Sequence, residues 1–226
     1  MNLAHNIKYR NFNVSEIFYS LQGESTHIGK PCVFVRMQGC ELRCAWCDTP
    51  YALEISQKEI LMTSEKIIDK INSYNCNYVL FTGGEPLLQT GIHDLINYLA
   101  KTTYEVAVET NGHQDISALD KPVIKVMDLK PPSSDMERHN NFENFKYLDS
   151  KDEIKIIIAD RNDYEWAKSI ISKYKLQKIV KSIILSPVFV QMPPETLAGW
   201  VLEDSLPVRM LLQMHKFIWH PNKRGV

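Results

Sequence analysis

The chain has 226 residues, 44% of them hydrophobic and 23% charged, with a formal net charge of -1. That length suits one domain spanning 1–226 with a sizeable core, and the balance of residues excludes disorder. The near-zero charge, with no basic stripe, predicts no nucleic-acid partner, and no apolar run approaches a membrane span. The stretch Met1 to Asn6 lacks the apolar region of a signal peptide, so a cytoplasmic address is expected.

Short β-branched runs alternate with segments of helical period. Val33–Met37 reads as a strand, and Ile67, Ile68 and Ile71 mark a helical face opening at Ser64. Tyr78–Thr82 is the next strand, closed by Gly83-Gly84, and Ile92, Leu95, Ile96 and Leu99 follow at helical spacing. Further strands are predicted at Glu105–Glu109, Val123–Met127 and Ile154–Ile158. Asp160 is placed as the N-cap of a helix that turns Tyr164, Ala167, Ile170 and Ile171 inward. Ser182–Leu185 is a sixth strand, a helix begins near Pro194, and a last strand covers Val208–Gln213. Strands interleaved with helices imply right-handed βαβ units and a parallel sheet. Six or seven strands predict a partial, open β/α barrel of the α/β class, and ligands collect beyond the C-terminal ends of such strands.

Three of the five cysteines, Cys40, Cys44 and Cys47, crowd into eight residues just after the first core strand. An odd count argues against a closed disulfide framework, and a cluster this dense reads as metal binding or redox chemistry. A [4Fe–4S] cluster ordinarily takes four thiolates, so three leave one iron for a non-protein ligand. A catalytic zinc site with three protein ligands is the other reading of the same spacing. Cys32 and Cys76 sit beside apolar segments and are read as small core hydrophobes.

The spacing C-x3-C-x2-C, with Trp46 directly before the third cysteine, resembles the signature of the radical S-adenosylmethionine (SAM) superfamily. The resemblance implies that SAM chelates the open iron and that its reductive cleavage gives a 5′-deoxyadenosyl radical. Thr82-Gly83-Gly84-Glu85-Pro86 resembles the superfamily's GGE motif, implying that Gly84 and Glu85 meet the methionyl amino group. Glu109 and Asn111 end the third predicted strand, where polar side chains suit a ribose. Lys130 ends the fourth and suits the methionyl carboxylate, and Ser186 ends the sixth at a position used near adenine.

Other segments resemble the 7-carboxy-7-deazaguanine synthase family within that superfamily. They are Phe18–Ser25, Phe34–Cys40, Cys47-Asp48-Thr49, Leu185–Phe189 and Leu212–Trp219. Ser25 stands where the family commonly has Gly, and Pro221–Val226 extend past the tryptophan with no evident role. The resemblance implies conversion of 6-carboxy-5,6,7,8-tetrahydropterin to 7-carboxy-7-deazaguanine with loss of ammonia, on the route to queuosine and other 7-deazapurines. It further implies Mg2+, an external electron donor of flavodoxin or ferredoxin type, and a homodimer. Trp46 and Asp48 are then expected at SAM. Leu21, Gln22, Gly23, Glu24, Arg36, Thr82 and His215 are expected at the pterin, and Thr49 at the magnesium. Arg36 suits a carboxylate because its planar fork makes two charge-assisted hydrogen bonds. The plain structural alternatives place Arg36 in a surface pair, Thr49 as a turn cap and His215 in the core. A glycyl-radical-enzyme activating protein would share the cysteine spacing without needing Leu21–Glu24 or Arg36. A non-catalytic iron–sulfur carrier would not need the ring of polar strand ends.

Overall fold

A computed structural model describes residues 5–55 and 60–226; Met1–Ala4, the first residues read for a signal sequence, lie outside the described residues. The strands are β1 (Asn11–Leu21), β2 (Pro31–Met37), β3 (Ile60–Thr63), β4 (Tyr78–Gly83), β5 (Glu105–Thr110), β6 (Ile124–Leu129), β7 (Glu153–Ile158), β8 (Ser182–Pro187) and β9 (Arg209–Met210). All nine join one sheet in the order β3-β1-β2-β4-β5-β6-β7-β8-β9. From β2 to β9 every neighbouring pair is parallel, while β1 runs antiparallel to both β2 and β3. The helices are α1 (His5–Lys8), α2 (Ser64–Asn72), α3 (Ile92–Ala100), α4 (Arg161–Tyr174), α5 (Pro194–Glu203) and α6 (His215–Ile218). The sheet is open, as the partial barrel predicted.

Three differences from the sequence reading have physical causes. The antiparallel strands β1 and β3 were not expected, because β1 carries a register shift between Val14 and Glu16. Phe12 and Val14 face the helix-covered core before the shift, Ile17 packs against that same core after it, and Phe18 faces the opposite side. One inserted residue thus breaks the period-2 pattern by which a strand is recognised. The expected strand Val208–Gln213 shortens to Arg209–Met210, which releases Gln213 to turn inward. The strand expected at Val123–Met127 runs from Ile124 to Leu129 and carries Asp128 within it.

Each strand divides its side chains between two environments. One face packs Val33, Val35, Val79, Phe81, Val106, Val108, Ile154 and Ile156 against the helices. The inner face is apolar at its base, where Cys32, Phe34, Tyr78, Leu80, Ala107 and Ile124 cluster and Phe18 stacks on Phe34 at 4.8 Å. Two residues further along β2, β4 and β5 the inner face turns polar, at Arg36, Thr82 and Glu109, and Asp128 of β6 and Lys155 of β7 continue the polar rim in register with each other. Asp160 caps α4 as expected, its carboxylate accepting from the Asp163 N–H at 2.9 Å. Cys32 is fully buried in the inner apolar cluster and Cys76 packs at its edge, which bears out the core reading of both.

Candidate active site

The polar rim opens into a cavity of about 800 Å³, a size that suits a small substrate and a nucleoside cofactor together. The loop carrying the cysteines is pinned over one side. Gly39 and Cys40 donate their N–H groups to the carbonyls of Ala52 and Leu53 at 2.9 and 3.0 Å, and the buried Gln38 amide reaches Tyr51 O at 2.9 Å. Cys40, Cys44 and Cys47 all line the cavity, together with Trp46, Asp48 and Thr49. Among the described residues, Glu24, Asp48 and His215 bring metal-ligating atoms within 4.8 Å of one another, whereas the three sulfurs do not form such a group. A single tetrahedral zinc would draw its sulfurs to about 3.8 Å apart. The three sulfurs are not drawn together in that way. Burial pushes all three thiols up, and Lys130 opposes this at Cys44 and Cys47 while the Asn111 amide opposes it at Cys40. That amide lies 3.7 Å from the Cys40 sulfur.

Gly84 is required by crowding. A Cβ there would meet the Gly39 and Ala52 carbonyl oxygens at 2.3 and 2.5 Å. Gly83 and Gly84 thus lie against the cysteine loop and present backbone to the cavity. Glu85 departs from expectation. Its side chain is fully buried and does not line the cavity; it accepts from Leu87 N at 3.0 Å, Thr110 Oγ1 at 2.9 Å and Asn111 N at 2.6 Å. The carboxylate therefore fixes the end of β5 and the turn Pro86–Leu88. Burial pushes its pKa up to about 7 despite those three donors. Ser186 also lies away from the cavity. It is buried on β8 and absent from the cavity wall, which Val188 and Phe189 supply there.

The substrate-side residues come from the loop after β1. This loop crosses the inner face and is tied to two strands, β5 and β7. The Gln22 amide donates to Glu109 at 3.3 Å, Lys155 donates to Glu24 at 2.7 Å, and Thr26 N donates to Glu153 at 2.9 Å. Leu21, Gln22, Gly23 and Glu24 line the cavity with Arg36, Thr82 and His215. His215 packs so closely on Gly23 that a Cβ there would lie 2.3 Å from its Nδ1, and burial holds its imidazole below the usual range. Thr82 donates to Glu109 at 3.3 Å. Burial pushes Glu109 up to about 6, against the pull of Lys155.

Lys155 was not singled out from the sequence, and it is the hub of the site. Besides Glu24 it meets Asp128 at 3.3 Å, and Asp128 in turn holds Lys130 at 3.0 Å. Burial works against its charge, yet Asp128, Glu24 and Glu109 outweigh it and hold the ammonium well above the usual lysine range. The signal was present: a lysine within the run Ile154–Ile158 occupies an inner-face position. Gln213, Lys216, Glu16 and Tyr51 were also missed. Gln213 bridges Glu24 at 2.8 Å and Asp48 at 3.1 Å, and Lys216 donates to Asp48 at 3.0 Å. The Thr49 hydroxyl donates to the other Asp48 oxygen at 3.1 Å.

Sequence comparison meets this geometry at both ends of the cavity. The radical SAM superfamily profile matches residues 34–130, from β2 through the cysteine loop to the end of β6. The 7-carboxy-7-deazaguanine synthase of Chlorobaculum tepidum is 44% identical over 217 residues, covering 95% of this chain and 97% of the relative. The chain belongs to the 7-carboxy-7-deazaguanine synthase family. The synthase of Clostridium acetobutylicum is 40% identical, covering 96% of this chain and 100% of its own. The crystal structure of QueE from Escherichia coli superposes with a TM-score of 0.73 at 23% identity, covering 91% of this chain and 95% of that one, and supports the fold. Membership in the synthase family assigns a [4Fe–4S] cluster and SAM to the cavity and sets aside the activating-protein and electron-carrier readings.

Proposed function

We propose that this chain carries out the family reaction, the ring contraction of 6-carboxy-5,6,7,8-tetrahydropterin to 7-carboxy-7-deazaguanine with loss of ammonia, in queuosine and 7-deazapurine biosynthesis. The observation that carries the reading is the shared cavity: the cysteine loop and the loop Leu21–Glu24 face each other across one space. Cluster and SAM, when bound, supply the one-electron chemistry that starts the rearrangement. Cys40, Cys44 and Cys47 hold the cluster. Trp46, Asp48, the Gly84 backbone, Glu109, Asn111 and Lys130 surround SAM.

The chain's own part is to hold the pterin. Arg36 takes its carboxylate. Its Nε is engaged by Glu16 at 2.9 Å, and among the described residues its two terminal amino groups have no partner. Those amino groups are left to fork the carboxylate while Glu16 holds Nε, which joins the surface-pair and substrate readings in one residue. Gln22, the backbone of Gly23 and Glu24 pair with the pterin edge, with Thr82 at the wall. His215, neutral at ordinary pH because burial disfavours its charge, can donate or accept there. Magnesium lies at Thr49, held by the threonine hydroxyl, substrate oxygens and water.

No described helix is long and apolar enough to cross a membrane. A homodimer, a flavodoxin or ferredoxin donor and a cytoplasmic site of action complete the reading. The deciding experiment incubates anaerobically reconstituted enzyme with SAM, a reductant, magnesium and carboxytetrahydropterin. Deazapurine and ammonia should appear in equal amounts with SAM retained. One equivalent of 5′-deoxyadenosine per turnover, without deazapurine, would refute the reading.

A further inference from the structure

The segment Pro221–Val226 has no counterpart in the motifs that carried the sequence reading, yet it folds back and lines the cavity. Arg224 lies where it meets β1 and the cysteine loop. Its guanidinium carbon sits 3.7 Å from the centroid of the Tyr51 ring, and the Arg36 guanidinium lies 6.0 Å from the same ring. Glu16 stands between the two arginines. Its Oε1 is taken by Arg36 Nε and by the Tyr51 hydroxyl, each at 2.9 Å, while its Oε2 faces Arg224 Nε at 3.9 Å. That last separation is an ion-pair contact and not a hydrogen bond. Among the described residues Arg224 makes no hydrogen bond at all, so stacking holds it in place while its donors remain unspent.

The local pairing around Glu16 is uneven. Two guanidiniums share the one carboxylate of Glu16, so the pair carries one positive charge more than its partner balances. One further carboxylate, presented between the arginines, would neutralise it and accept planar hydrogen bonds from both.

We propose that Arg224 is a specificity-determining residue that supplies a second guanidinium, beside Arg36, for the carboxylate of the substrate. This rests on the reading of the substrate as a carboxylated pterin. Through Arg224, the segment after α6 selects carboxylated from uncarboxylated pterins. Because the side chain is half exposed, solvent screens the contact and its effect is modest.

The test uses reconstituted holoenzyme with SAM and compares the parent with Arg224→Gln and Arg224→Lys. KM for carboxytetrahydropterin should rise about two- to fivefold in Arg224→Gln, with kcat within about twofold of the parent. Arg224→Lys should recover part of the loss. The inhibition constant of tetrahydropterin, which lacks the carboxylate, should be the same in all three proteins. An unchanged KM would overturn the proposal. So would a KM and an inhibition constant that rise together, since the segment would then only shape the wall. A parent enzyme that makes no deazapurine would refute the proposed function itself, and this inference with it.

Discussion

Glu85 offers the sharpest test of the distinction between a motif and its mechanism. Its three donors converge from two elements, and two of them are backbone N–H groups that have no water to turn to. In Glu85→Gln one oxygen survives and can keep the bonds from Leu87 and Thr110. The new amino group then faces the Asn111 N–H, donor against donor. Leaving one buried donor without an acceptor costs about 2 kcal/mol. For a chain of this length that lowers Tm by roughly 4–8 °C. The pH dependence has a definite sign. Burial raises the folded pKa to about 7, above the unfolded carboxyl, so the folded state keeps a proton that the unfolded chain loses. The contribution of Glu85 is therefore greatest below the unfolded value and declines as pH rises toward 7. Glu85→Gln removes that decline. Thermal melts of the anoxic holoenzyme between pH 5 and 8, with SAM affinity measured on the same samples, decide the matter. A variant that loses SAM affinity while its Tm and pH profile match the parent would show that the carboxylate meets the ligand after all.

The remaining expectations are briefer. Cys40→Ala, Cys44→Ala and Cys47→Ala should each abolish the cluster, while Cys32→Ala and Cys76→Ala retain it; iron content and the electron resonance of the reduced protein report the outcome. Arg36→Lys should weaken substrate binding by about 1.5–3 kcal/mol, because a single ammonium cannot hold Glu16 and fork a carboxylate together; titration calorimetry should find SAM affinity unaltered. Lys155→Met should destabilise the fold by about 3 kcal/mol, since Glu24 loses its ion-pair partner and keeps only the Gln213 amide while Asp128 retains Lys130, and denaturant unfolding measures it. Thr49→Val should lower magnesium-stimulated turnover while leaving the cluster spectrum intact, and an unchanged magnesium response would make Thr49 a turn residue only.

The parts of this molecule legible in its sequence are those set by local pattern. The cysteine spacing, the Asp160 cap and the six parallel strands from β2 to β8 all follow from period, turn chemistry and ligand number. What escaped depends on contacts distant in sequence. Strand β1 was hidden by its own bulge, which shifts Ile17 and Phe18 out of phase with Phe12 and Val14. Glu85 matches a motif whose residues suggest a ligand contact, but the direction of a side chain is fixed by Thr110 and Asn111, 25 and 26 residues away. Ser25 replaces the family glycine and still adopts a left-handed φ of 60°. Its hydroxyl accepts from the His27 N–H at 3.0 Å, a local bond that offsets the conformational cost a glycine would avoid.

Lys155 shows why the two halves of the cavity form one site. The loop Gln22–Lys30 belongs to no strand, and its position relative to the sheet must be set by side chains. Lys155 reaches it through Glu24 and reaches the cluster side through Asp128 and Lys130. One buried ammonium thus ties the loop after β1 to the cysteine side of the cavity. The strand supplies the precision, since Lys155 is fixed between Asp128 of β6 and Ile184 of β8 by the sheet register. A hydrogen atom passing between substrate and cofactor needs its donor and acceptor held at near contact. A loop anchored only by its own turns would keep its freedom to move relative to the sheet. An anchor rooted in the middle of a parallel sheet removes the freedom.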